Sequence, residues 1–271
     1  MSGAANDFII IDNRKQYLDA DHLKDWVQKL CTRKYSVGGD GLILIESSDK
    51  ADFKWRFFNC DGLEAEMCGN GSRCAARFSY LEGITGPKLS FETPAGIIHA
   101  EVNGRSVKVR MTEPTQLKLD IQLSTERGTV TLSRINTGVP HAVLEMERLE
   151  DFTLQTLKEL GQTIRSHKYF QPTGANVNFV EALTKEHKPT LWVKTYERGV
   201  EDITQACGTG VVASALIAHA KKWIHASPVL VKTMGGDLTV YFEENGKSYT
   251  NVCLEWDARV VFRGELTDES V

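Results

Sequence analysis

Apolar positions in this chain fall into short alternating or continuous runs separated by glycine, asparagine and proline turns, broken by four stretches of helical character. Asp7-Phe8-Ile9-Ile10-Ile11-Asp12 reads as a strand. Leu23, Trp26, Val27, Leu30 and Cys31 recur at i, i+3, i+4, i+7 and i+8, which predicts an amphipathic helix with Cys31 on its buried stripe. Gly38 to Gly41 turn the chain into a strand over Leu42–Glu46, and Phe53–Asn59 alternates as a further strand toward Cys68. A run of helix-forming residues, Cys74–Leu81, follows that cysteine. Pro87–Thr93 and Gly96–Val102 then read as a strand pair, closed by the hairpin signal Asn103-Gly104.

The second half repeats that order. Arg134–Leu144 supplies a turn and strand, and Leu154, Leu157, Leu160, Gly161 and Ile164 mark a helix. Val177–Glu181 and Leu191–Arg198 are strands leading to Cys207, whose helix is apolar all round over 211–218. Pro228–Thr233 and Gly236–Phe242 form the last pair, closed by Asn245-Gly246. Thr93 lies 25 residues after Cys68 (93 − 68) and Thr233 lies 26 after Cys207 (233 − 207), so the two halves are copies of one unit. The expected fold class is α+β. It comprises two pseudo-symmetric lobes, each a barrel-like, mostly antiparallel sheet around a central helix, because an apolar helix must be buried on all sides. The boundary is expected in the polar stretch 113–130. Residues 1–115 then make the N-terminal lobe and 116–256 the C-terminal lobe, with a strand near 259–264, within 257–271, returning to the first.

Composition narrows the function. With 271 residues, a formal charge of −4, 41% hydrophobic and 25% charged residues, the chain suits a globular protein and gives no electrostatic reason to bind nucleic acid. The best apolar run, Val211–Ala218, is far short of the ~20 residues a membrane span needs. The opening residues lack the basic and apolar regions of a signal peptide, so a cytoplasmic protein is expected. Six cysteines at 31, 60, 68, 74, 207 and 253 carry no CxxC spacing, which argues against structural zinc, and a reducing cytosol argues against disulfides. Cys31, Cys60, Cys74 and Cys253 read as structural thiols.

Cys68-Gly69-Asn70-Gly71 and Cys207-Gly208-Thr209-Gly210 remain. Each sets a thiol at the mouth of a helix, where free backbone N–H groups and the helix dipole favour a thiolate or a bound carboxylate. Two such sites in related lobes suit stereoinversion. A carboxylate would rest on both helix N-termini, one cysteine would remove the α-proton, and the other would deliver one to the opposite face. That chemistry requires no cofactor and no metal.

The blocks Asn59-Cys60-Asp61-Gly62-Leu63-Glu64-Ala65-Glu66-Met67-Cys68-Gly69-Asn70-Gly71 and Tyr196-Glu197-Arg198-Gly199 … Ala206-Cys207-Gly208-Thr209-Gly210 resemble the two signatures of the diaminopimelate epimerase family. Asn6-Asp7-Phe8, Gly39-Asp40-Gly41-Leu42-Ile43, Pro140-His141 and Asn176 occur in matching order, so the resemblance spans essentially the whole chain. It implies cofactor-independent conversion of LL- to meso-diaminopimelate, on the route to lysine and cell wall, by a homodimer. It implies Cys68 and Cys207 as the acid–base pair. Asn6, Asn59, Gly69, Asn70, Asn176, Glu197, Arg198, Gly208 and Thr209 then contact the small amino-acid substrate, with His141 and Glu197 assisting. Arg198 is suited to grip the distal carboxylate bidentately. The chain departs from the family pattern at Ala5, where glycine is usual, and in a segment between Glu197 and Cys207 that is one residue longer. It also departs at Val139, where the family carries asparagine before Pro-His. Loss of that amide opens a broader amino-acid racemase activity as the alternative. A Cys68–His141 acyl transferase leaves Cys207 unexplained, and a non-catalytic amino-acid binding protein needs neither thiol.

Overall fold

The computed structural model describes residues 1–4, 6–16, 18, 23–126, 128–183, 188–246 and 248–270; Ala5, one of the departures above, lies outside them. The chain divides into two compact units, Met1–Arg110 with Trp256–Val271, and Met111–Glu255.

The first unit runs β1 (Ser2–Gly3), β2 (Asn6–Asp12), α1 (Leu23–Cys31), β3 (Gly41–Glu46), β4 (Phe53–Asn59), β5 (Glu64–Ala65), α2 (Gly69–Leu81), β6 (Lys88–Thr93), β7 (Gly96–Asn103) and β8 (Ser106–Arg110). Strand β2 pairs parallel to β3, β3 antiparallel to β4, β4 parallel to β6, and β6, β7 and β8 antiparallel in turn. β3 is an unbroken apolar run because both its faces are covered. Leu42 and Leu44 pack with Leu23, Val27, Leu30 and Cys31 of α1. Ile43 and Ile45 pack with Trp55, Phe57 and the Cys74, Ala75 and Ala76 face of α2. Helix α2 thus sits inside the sheet, against β1, β2, β3, β7 and β8.

The second unit opens with a long hairpin, β9 (Thr115–Thr125) and β10 (Gly128–Asn136). It then runs β11 (Pro140–Glu145), α3 (Leu154–Arg165), β12 (Asn176–Ala182), β13 (Thr190–Glu197), β14 (Asp202–Thr204), α4 (Gly208–Ala220), β15 (Val229–Thr233), β16 (Gly236–Asn245) and β17 (Ser248–Asp257). Its pairings repeat the first unit's order: β11 parallel to β12, β12 antiparallel to β13, β13 parallel to β15, then β15, β16 and β17 antiparallel. The duplication is therefore visible in topology as well as in sequence. Every residue of α4 from Gly210 to Ala218 is buried, against β10, β11, β12, β13, β15 and β16. An α+β fold with a central helix in each lobe is what the structure has, and no described helix is long and apolar enough to cross a membrane.

Three expectations need correction. The stretch 113–130 is not a polar connector, since 115–125 and 128–136 form a hairpin within the second unit. Leu117, Leu119, Ile121 and Leu123 alternate with polar residues, a period-two signal that the polar composition concealed. The strand expected over 259–264 is absent; Arg259 makes one isolated bridge to Ser2, and 260–267 are irregular before a 3-10 turn at Asp268–Ser270. β1 is only two residues long and pairs with Arg259 through Ser2 alone, and Val261 and Phe262 beyond it are each 65% exposed. Cys60, expected as a structural thiol, is exposed at the end of β4.

Candidate active site

Cys68 and Cys207 are the N-cap residues of α2 and α4. Both have extended backbone, φ −145° and ψ 115° for Cys68, φ −117° and ψ 112° for Cys207, so each thiol lies beside the first free N–H groups of its helix. The β4–β5 turn delivers the chain to Cys68, and the β13–β14 turn delivers it to Cys207. Cys68 Sγ accepts a hydrogen bond from Gly71 N at 3.4 Å. Cys207 Sγ lies 3.5 Å from Thr209 Oγ1.

Around Cys68 the side chains form a polar chain within the first unit. Asn6 Nδ2 donates to Asp40 Oδ2 at 3.0 Å, Asn70 Nδ2 donates to Asn6 Oδ1 at 2.6 Å, and Arg73 Nη2 donates to Asn70 Oδ1 at 2.6 Å. Two of the sequence-predicted amides are thus tied to each other and to the first turn of α2. Arg73 is fully buried, with Nη1 donating to Gly69 O at 3.0 Å and its guanidinium 5.4 Å from the Trp256 ring; burial lowers its pKa. Asn59 ends β4 exposed, its N–H donating to Leu63 O at 3.0 Å. Gly69 faces open space, for a Cβ built there meets nothing within 4 Å.

The second unit gathers a different set. Cys207 is buried, and its thiol is pushed up to about 12, first by burial and next by the Glu197 carboxyl nearby. Burial raises the pKa of Glu197 as well. Arg198 N donates to Asn176 Oδ1 at 2.8 Å and Arg198 Nη1 to Thr173 O at 3.0 Å, which holds the guanidinium at the end of β13. Thr209 O accepts from Thr137 Oγ1 at 3.0 Å, fastening the β10–β11 turn to α4. Val139 lies half-buried in that turn, with its carbonyl accepting from Thr137 N at 3.2 Å. A Cβ at Gly208 would approach Leu254 to 3.1 Å. His141 is fully buried at the start of β11, and its pKa falls to about 3, mainly through burial and then through the Arg198 charge.

Sequence reasoning missed Asp40, Arg73, Thr137, Asn178 and Thr195. Asn178 left a legible trace as a lone amide inside the apolar run Val177-Asn178-Phe179-Val180, where an unpaired polar group would be costly. Arg73 left none, because its burial depends on the strands that enclose α2. The lobes also differ here. Five residues after each catalytic candidate stand Arg73 (68 + 5) and Val212 (207 + 5). Among the described residues no three His, Cys, Asp or Glu side chains cluster as metal ligands would.

Fold and site define a protein of two duplicated α+β lobes, each presenting a thiol at the head of its central helix. Solved structures share that fold. A Bacillus anthracis phenazine biosynthesis protein of the PhzF family matches with a TM-score of 0.69 and 17% identity, over 96% of this chain and 95% of its own. A hydroxyproline epimerase from Agrobacterium vitis matches with a TM-score of 0.64 and 18% identity, over 94% and 86%. The chain belongs to the diaminopimelate epimerase family, whose profile matches residues 1–117 and 133–254. Diaminopimelate epimerase from Aquifex aeolicus is 46% identical, over 99% of this chain and 97% of that protein, and the Hydrogenobaculum enzyme of the same name is 42% identical, over 98% and 97%.

Proposed function

We propose that this protein interconverts LL- and meso-2,6-diaminopimelate as a cofactor-independent, two-cysteine epimerase, working as a cytoplasmic homodimer in lysine and cell-wall precursor synthesis. The observation that carries the reading is the paired position of Cys68 and Cys207, each capping the central helix of one copy of a duplicated lobe, in a chain 46% identical to a named epimerase.

The steps balance without redox change. A thiolate takes the α-proton as the C–H electron pair moves into the carboxylate-stabilised carbanion. The other thiol gives its proton to the opposite face, leaving the two sulfurs with exchanged protonation. Burial and the Glu197 carboxyl raise the pKa of Cys207 and favour its thiol form in the free protein; across the forward and reverse cycles each sulfur donates once and accepts once. The helix-head N–H groups at Gly69, Asn70, Gly208 and Thr209 supply stabilisation for the carboxylate as its charge grows. Asn6, Asn59, Asn70 and Asn176 orient the substrate, Glu197 binds an ammonium group, and Arg198 takes the distal carboxylate.

Val139 favours one refinement. An apolar side chain where the family carries an amide removes a hydrogen bond to the substrate and weakens rejection of other amino acids. Incubation in deuterated water with LL-diaminopimelate, glutamate and aspartate tests both statements. Diaminopimelate is expected to gain one α-deuterium. Absence of that exchange overturns the epimerase reading, and measurable exchange into glutamate or aspartate supports the broader specificity.

A further inference from the structure

The polar chain beside Cys68 has a charged group at each end. At one end stands Asp40, immediately before β3. Its backbone is tied to β2 and to the end of β4, its N–H donating to Asp7 O at 2.8 Å and its carbonyl accepting from Cys60 N at 3.1 Å. Its carboxylate is tied as well, Oδ1 accepting from Arg33 Nη2 at 3.1 Å and Oδ2 from Asp7 N at 3.1 Å. At the other end stands the buried Arg73, whose Nε has no hydrogen-bond partner among the described residues. A buried cation is costly unless its donors are used. Arg73 spends its two terminal nitrogens on the head of α2, at Gly69 O and Asn70 Oδ1.

Those ends decide how the amides between them are arranged. A carboxylate only accepts, so the Asn6 atom facing Asp40 Oδ2 must be the NH2 group. A guanidinium only donates, so the Asn70 atom facing Arg73 Nη2 must be the carbonyl oxygen. The middle joint agrees with both, Asn70 Nδ2 donating to Asn6 Oδ1 at 2.6 Å. Turning one amide over, or both together, sets like atoms against each other at two of the three joints. Each Nδ2 spends one of its two hydrogens inside the chain and keeps the other. Beside a buried guanidinium and the N-terminus of α2, an anionic oxygen suits those remaining hydrogens and an ammonium group does not. The second lobe builds no such chain. There Asn178 Nδ2 lies 3.0 Å from His141 Nδ1 and Asn178 Oδ1 accepts from Thr195 Oγ1 at 2.9 Å, so the network ends in neutral groups, and Val212 stands at the position of Arg73.

We propose that Asp40 and Arg73 are positioning residues which, from the two ends of the chain, fix the amides of Asn6 and Asn70 with both nitrogens set to donate to a carboxylate oxygen of the bound amino acid. Each acts through the amide it holds, not by touching substrate. The inference rests on the epimerase reading for the identity of the ligand, whereas the orientation of the amides does not depend on it.

Neutron diffraction from crystals of the free protein grown in heavy water tests the orientation without substrate, since deuterium marks the amide nitrogen directly. The expected map shows the ND2 group of Asn6 facing Asp40 and the ND2 group of Asn70 facing Asn6. An oxygen of Asn6 facing Asp40, or the ND2 group of Asn70 facing Arg73, overturns the proposal.

Double-mutant cycles on exchange kinetics test the positioning role separately. Asp40→Asn is expected to lower kcat/KM about 10-fold or more, but to add less than about 2-fold when Asn6→Ala is already present. Arg73→Met is expected to behave likewise with and without Asn70→Ala. A residue that merely supports the fold would lower kcat/KM by the same factor in both backgrounds, and that result would overturn the positioning role. Wild-type kcat/KM in Asp40→Asn or Arg73→Met would overturn it too. If one variant does not fold, the other cycle and the wild-type neutron map still decide. Loss of exchange in every form including wild type would instead refute the epimerase reading, leaving the amide orientation to be judged from the neutron map alone.

Discussion

His141 and Cys207 are both buried, and each is held in its uncharged form. For His141 the folded pKa of about 3 lies below the ordinary value of 6.5. An unfolded chain takes up this proton as pH falls below 6.5, whereas the folded chain does not until near 3. Stability from this residue is therefore complete above about pH 6.5 and is lost toward pH 3, with a slope of at most about 1.4 kcal/mol per pH unit for one proton. Urea titrations of wild type and His141→Gln at several pH values between 6.5 and 4 check this. The variant is expected to lose less stability over that range, the carboxylate contribution being common to both proteins, and parallel curves would show that the histidine is not held neutral. Cys207 follows the same logic at the alkaline end. Its thiol at about 12 stays protonated where an unfolded cysteine ionises near 9, so its contribution is present below pH 9 and is lost toward 12.

Helices α2 and α4 each carry glycines in the first turn, and these meet different surroundings. A Cβ on Gly210 would collide with Asn178 Oδ1 at 2.3 Å, whereas a Cβ on Gly69 meets nothing within 4 Å. Gly210→Ala is expected to destabilise the protein by about 1–3 kcal/mol through overpacking. Gly69→Ala is expected to leave the melting temperature within a degree or two, since surface changes away from packed contacts are usually within about 0.5 kcal/mol, but to raise KM by about 10-fold or more if substrate occupies the open side of the helix mouth. Thermal melts paired with exchange kinetics separate the two, and a Gly69→Ala enzyme with wild-type KM would argue that the substrate does not approach there.

At this scale the sequence was a good guide wherever a local period matched a buried face. Leu23–Cys31 was read as a helix to the residue, and β4 follows the alternation of Phe53, Trp55 and Phe57. The thiols at both helix mouths were legible because glycine, capping geometry and duplication all pointed to them. What escaped depends on partners distant in sequence. β14 and β5 are too short to show a period, Arg73 is buried only because strands close around α2, and 259–264 reads as a strand although only Arg259 finds a partner strand, at Ser2. The polar hairpin 115–136 illustrates the converse, where a period-two pattern was present but composition suggested a connector.

For the whole molecule, each lobe carries one thiol at the head of its central helix and the same order of strand pairings, yet the side chains around those two thiols have diverged. The first lobe keeps a buried Arg73 beside the Asn70–Asn6 amides, and the second keeps Glu197, Arg198 and the His141–Asn178–Thr195 network. Duplication followed by divergence suits a reaction in which two like groups act on one carbon in unlike roles. The central claim is that both thiols are needed to invert that carbon. The most direct measurement is the appearance of deuterium-labelled meso-diaminopimelate from LL-diaminopimelate in deuterated water, catalysed by wild type, Cys68→Ala and Cys207→Ala. The account predicts one α-deuterium in the product of wild type and a loss of about 100-fold or more in each variant, the range for removing a general acid or base. Labelled product formed at the wild-type rate by either variant would contradict it.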